Sequence, residues 1–158
     1  MATGQFQYAM DQSMCMAVTN VQQGSQLSLQ STTYDPNKTL WNYNTANKYI
    51  YIASAGPVPG LCVTITGFTC SGNPILTLQT PLATSNANAK YQQWSLFPGS
   101  STFLTSVGCP GNVIDSQNRQ TSPGTPIWLY AFNGSQAQQW VFQTFGAFER
   151  EALQLEEA

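Results

Sequence analysis

The chain has 158 residues, room for one ordinary domain, and 42% of them are hydrophobic and 12% aromatic, enough to bury a core. Only 8% are charged, 5 Lys and Arg against 7 Asp and Glu, so the polarity comes from Gln, Asn, Ser and Thr. That composition argues against disorder and against the clustered cations of a nucleic-acid surface. There is no histidine, which excludes His-activated Ser or Cys nucleophiles, His acid–base chemistry and His-ligated metals.

From the N-terminus, Met1 to Asn20 carries no basic segment followed by a long apolar run, and no stretch approaches a membrane span. The expectation is a chain either secreted in mature form or cytosolic, without a recognisable signal peptide. A first apolar element, Ser13-Met14-Cys15-Met16-Ala17, is followed by Leu27-Ser28-Leu29-Gln30 after a Gly24-Ser25 turn, then by Lys38-Thr39-Leu40-Trp41-Asn42-Tyr43. The same order returns. Pro59-Gly60-Leu61-Cys62-Val63-Thr64 precedes Gly72-Asn73-Pro74, Leu76-Thr77-Leu78-Gln79 and Tyr91-Gln92-Gln93-Trp94-Ser95-Leu96. It returns again as Pro110-Gly111-Asn112-Val113-Ile114-Asp115, Pro123-Gly124, Ile127-Trp128-Leu129-Tyr130 and Ala137-Gln138-Gln139-Trp140-Val141-Phe142. Three elements in one order, three times, are the mark of an internal repeat.

Each element is short, alternates apolar with polar residues and is bounded by Gly, Pro, Asn or Ser, the pattern of half-buried strands joined by tight turns. One such unit cannot bury its own apolar face, but three can close a barrel and leave no exposed edge. The expected fold is all-β with pseudo-threefold symmetry: one domain over 1–147, with repeats at about 4–46, 47–99 and 100–146. The segment 148–158 holds 4 acids and 1 base and is rich in helix formers, but it is too short for a stable isolated helix. It is expected to be a helical or disordered acidic tail.

Cys15, Cys62, Cys70 and Cys109 form no C-x-x-C pair, which argues against zinc. Two readings stay open: a local Cys62–Cys70 bridge in an oxidising compartment, or four half-buried free thiols.

The Q-x-W copies at Gln92-Gln93-Trp94 and Gln138-Gln139-Trp140, each downstream of a strand ending Cys-x-Asp or its equivalent, resemble the ricin B-chain type (R-type) β-trefoil lectins, with the low charge of fungal members. The resemblance covers about residues 4–146. It implies a six-stranded barrel capped by three hairpins, and a carbohydrate-binding protein with no cofactor. Trp41, Trp94 and Trp140 read as core anchors, because a large indole brings apolar area inward and its N–H needs a partner there.

Sugar recognition calls for a carboxylate to accept hydrogen bonds from hydroxyls, an aromatic ring to stack on the C–H face, and amides to complete the donor set. In the resembling family these come from the acid of the Cys-x-Asp strand, an aromatic on the next strand and polar residues near Q-x-W. Repeat one offers Ala17 and Gln30 there, and repeat two Thr64 and Gln79. Repeat three alone offers Asp115 and Tyr130, with Trp128 on the same strand face by alternation. Asn133 and Gln138 complete the candidate set. Ala137 stands where the family often has Asn. An ordinary turn role is the competing reading for Asp115, and Arg119 reads as a solvated loop charge.

The leading expectation is a non-enzymatic lectin for galactose- or N-acetylgalactosamine-type glycans, with one site in repeat three. Its partners are glycans and glycoconjugates, not nucleic acid, and there is no membrane span. A single shallow site would need a homodimer or a tethered partner to hold a cell surface. The alternatives are a targeting module of a larger enzyme or toxin, and a β-trefoil protease inhibitor using the loop Pro81 to Lys90. A paired-carboxylate glycosidase needs two acids, and the body holds only Asp11, Asp35 and Asp115, in different repeat positions.

Overall fold

The computed structural model describes residues 3–54, 60–96 and 102–144; the 148–158 tail lies outside them. Among the described residues twelve strands run in order: β1 Thr3–Tyr8, β2 Asp11–Val18, β3 Leu27–Ser31, β4 Trp41–Tyr43, β5 Ile50–Ile52 and β6 Cys62–Ile65, then β7 Leu76–Gln79, β8 Trp94–Leu96, β9 Leu104–Ser106, β10 Asn112–Ser116, β11 Ile127–Ala131 and β12 Trp140–Thr144. One four-residue helix, α1 Pro36–Thr39, and four short 3₁₀ turns complete them. Short strands between Gly- and Asn-rich turns are what the alternating pattern prescribes.

Six strands make a closed ring. β12 pairs β1, β1 pairs β4, β4 pairs β5, and β8 pairs β9. The two remaining seams are narrow: the Trp94 N–H donates to the Lys48 carbonyl at 2.9 Å, and Thr102 bridges Trp140. Along the β1–β12 ladder a Cβ on Gly4 would overlap the Gln143 carbonyl oxygen, so that close approach requires glycine there.

The other six strands form three hairpins, β2–β3, β6–β7 and β10–β11. They interlock through isolated bridges, Gln26 with Thr77, Ser28 with Pro126 and Ile75 with Trp128. Their turns use Gly24, Gly72 and Gly124 at φ of 87°, 79° and 87°, a left-handed conformation that favours glycine. This is a β-trefoil: a six-stranded barrel under a cap of three hairpins.

The tryptophans show why the repeat exists. Trp41, Trp94 and Trp140 are each fully buried in one apolar cluster. Their Nε1–H groups donate to the carbonyls of Met16, Val63 and Ile114 at 2.9, 3.1 and 3.2 Å. In every repeat the accepting residue immediately precedes the position where a lectin-type acid would stand. A core anchor thus fixes the height and direction of that position.

The cysteines correct both open readings, the local Cys62–Cys70 bridge and the four half-buried free thiols. Cys70 joins Cys109, 39 residues away, and ties a turn of repeat two to a turn of repeat three. Cys62 is free and buried, as is Cys15. Burial pushes both thiols up to about 12, so neither supplies a thiolate nucleophile near neutral pH.

Candidate functional site

The three acids of the body are put to different uses. Asp11 accepts from the Ser13 N–H at 3.1 Å, and Asp35 caps α1 through the Asn37 N–H at 2.9 Å while Lys38 stands 3.8 Å away. Both are ordinary turn and cap residues. Asp115 is neither. Near the C-terminal end of β10 and directly across from Trp128 on β11, it accepts from the Trp128 Nε1–H at 2.7 Å.

That pairing follows from register. Asp115 faces Trp128 and Val113 faces Tyr130 in the β10–β11 hairpin. Since side chains two apart share a face, Trp128 and Tyr130 lie together, their rings stacked at 5.3 Å between centroids and 17° between planes. Tyr130 is 37% exposed, so the stack forms an open shelf.

Asp115, Trp128, Tyr130 and Asn133 line one hollow of about 360 Å³, together with Asn118 and Arg119. Its size falls at the lower end of ligand-sized clefts. Asp115 is only 5% exposed. Burial raises its carboxyl above the ordinary Asp range, opposed by hydrogen bonds from Trp128 and Gln138 and by the charge of Arg119. The acid therefore presents an edge to the hollow while Oδ1 is already shared with Trp128. A carboxylate has acceptor capacity left for a ligand in that state.

Gln138 differs from its expected place. It is fully buried and does not line the hollow. Its amide donates to the Ala131 carbonyl at 2.8 Å and accepts from the Asn133 N–H at 2.8 Å, and it favours the charged form of Asp115. It positions the acid and the Asn133 loop from beneath. Asn133 spends its Oδ1 on the Ser135 N–H at 2.9 Å, which leaves its amide N–H groups for the hollow.

Asn118 and Arg119 escaped the reading of the sequence as site residues. They follow β10 in a turn where both adopt left-handed backbone, φ 55° and 58°. Repeat two builds the same turn from Gly67 and Phe68, φ 78° and 50°. The available signal was that Gly67 and Asn118, residue types that tolerate left-handed backbone, each stand three residues past the acid position of their repeat.

Repeat one has a hollow too, of about 420 Å³, lined by neutral groups such as Asn20, Gln23, Gln26, Ser28 and Gln30. It contains no carboxylate and no aromatic ring. Among the described residues no three His, Cys, Asp or Glu side chains cluster as metal ligands, and no helix is long and apolar enough to cross a membrane.

No protein-family model and no curated protein sequence matches the chain. Solved structures do match its fold. A mosquitocidal holotoxin aligns with a TM-score of 0.76 at 16% identity over 92% of this chain, which spans 17% of the holotoxin's length. The earthworm R-type lectin C-half, solved with GalNAc, gives 0.68 at 13% identity, covering 92% of this chain and 100% of that one. The ricin B-like lectin of Macrolepiota procera, solved with lactose, gives 0.69 at 16% identity, covering 89% and 94%.

Proposed function

We propose that the chain is a non-enzymatic lectin whose repeat-three hollow binds galactose- or N-acetylgalactosamine-type glycans. One observation carries this: the single acid of the body that is not used in a turn or cap stands beside an exposed aromatic shelf in a ligand-sized hollow. The carboxylate edge accepts from sugar hydroxyls, the Tyr130 face takes the apolar C–H side of the ring, and the Asn133 amide donates. The R-type and ricin B-like folds matched above were solved with GalNAc and lactose, which supports the galactose class. The hollow's lining has one carboxylate, one short of the pair that glycosidase chemistry uses.

A few hydrogen bonds and one stack at a shallow site give a Kd on the order of micromolar to millimolar. Calorimetric titration with galactose and N-acetylgalactosamine tests the reading. Asp115→Ala is expected to weaken binding at least ~10-fold, the loss of a charge-assisted hydrogen bond, with an unchanged circular dichroism spectrum. Undiminished affinity in that variant removes the site from repeat three.

A second reading rests on the holotoxin match, in which a chain of this length is a minor part. The same hollow would then act as a targeting module that brings an attached activity to a glycan surface.

A further inference from the structure

The repeat-three hollow holds a second charged group, one the carbohydrate reading does not use. In repeat two, the left-handed turn after β6 carries Phe68, whose ring meets Tyr91 at 5.9 Å between centroids. Tyr91 stands immediately before the first Gln of Gln92-Gln93-Trp94, at the position that Ala137 takes beside Gln138. This turn therefore sends its second left-handed residue back toward the site of its own repeat. In repeat three the same turn sends Arg119, which lines the hollow with Asp115 and Tyr130. Ala137 has no ring there to meet it.

Among the described residues the Arg119 guanidinium has no ion-pair partner within 4.0 Å and donates no side-chain hydrogen bond. The neighbouring carboxylate is nearly buried and held by Trp128, whereas Arg119 is exposed. The charge that faces solvent at the mouth is therefore positive. A planar fork of N–H donors with no acceptor of its own matches a sulfate or carboxylate oxygen pair.

Resting on the carbohydrate reading, we propose that the hollow selects galactosides bearing an anionic substituent, with Arg119 as the residue that recognises the anion. The sugar ring would sit on the Tyr130 shelf against Asp115, and its sulfate or carboxylate would reach the guanidinium at the rim.

Calorimetric titration of lactose, of lactose sulfated on galactose at C3 or C6, and of lactose sialylated at the same positions tests this. The sulfated and sialylated arms separate the two anion sources. At low salt at least one anionic ligand should bind the wild type about three- to tenfold more tightly than lactose, the scale of an exposed charge-assisted contact. The advantage should shrink at high salt, as screening requires. Arg119→Gln should bring the ratio close to one, Arg119→Lys should keep part of it, and Arg119→Glu should invert it. A wild type that binds lactose without preferring any anionic ligand overturns the proposal and leaves the galactoside reading standing. So does a preference that survives in Arg119→Gln. A wild type that binds none of these ligands overturns the proposal, and one that binds neither galactose nor N-acetylgalactosamine as well overturns both.

Discussion

Repeats two and three share one frame and differ in what hangs on it. Gln92 is fully buried, accepts from the Leu82 N–H at 2.8 Å and donates to the Thr80 carbonyl and Thr64 Oγ1, both at 3.1 Å. Gln138 makes the matching bonds with Asn133 and Ala131, and its amide favours the charged form of Asp115. Thr64 thus takes the place of the acid, Thr77 that of Trp128 and Gln79 that of Tyr130, as the two hairpin registers show. The Q-x-W network is a scaffold that holds whatever side chain stands at the acid position. Repeat one makes the same point from the other side: its hollow is as large, yet it lacks both carboxylate and ring. The frame is common to these repeats, and chemistry is what separates them.

The strongest attempt to break this comparison is made in the core. Trp94→Ala and Trp140→Ala should each cost about 3–5 kcal/mol in denaturant unfolding, the range for truncating a large buried aromatic. If the frames are equivalent, the two losses should agree within about 1 kcal/mol, allowing for local relaxation. A large asymmetry would mean that one tryptophan is not the anchor its indole hydrogen bond indicates.

A smaller effect sharpens the chemical difference. Tyr130→Ala should weaken galactoside binding by about 0.5–1.5 kcal/mol, the worth of an aromatic stack beyond its area. Gln79→Ala, at the matching position of repeat two, should leave binding unchanged in the same titration. Equal losses in both variants would assign a site to each repeat.

The smallest effect is on pH. Burial raises the Asp115 carboxyl above its ordinary value, so acidification protonates it earlier than a free aspartate. Galactoside affinity should fall as pH drops through that raised value, and the fall should vanish in Asp115→Asn. Stability carries the opposite sign. A raised folded-state pKa favours the protonated fold, so this residue's contribution is complete at low pH and is lost as pH rises through the folded value. Thermal unfolding at neutral pH should therefore show Asp115→Asn at least as stable as the wild type.

Much of the frame was legible in the sequence because it is written locally. The Q-x-W tryptophans, the alternating strands and the glycine turns each sit within a few residues, and the third-repeat face of Asp115, Trp128 and Tyr130 follows from strand alternation. What escaped depends on contacts that local spacing does not encode. Cys70 meets Cys109 across a boundary between repeats, 39 residues apart, so the nearer Cys62 misled. Gln138 has the residue type of a sugar contact, but the backbone of the Ala131–Asn133 loop consumes its amide. Arg119 resembles any surface cation until the left-handed turn gives it a direction. The Trp128 indole reaches the acid itself, an arrangement set by the pairing of β10 with β11.

The distribution of the four tryptophans makes the molecule its own optical gauge. Three indoles are sealed in the core, each hydrogen-bonded to a backbone carbonyl, and give a steady background emission. The fourth, Trp128, is partly open to solvent and bonded to the carboxylate of the candidate site. Any occupant of that cleft displaces water from a single indole, so a difference in tryptophan emission against Trp128→Phe isolates events there from events at the three core indoles.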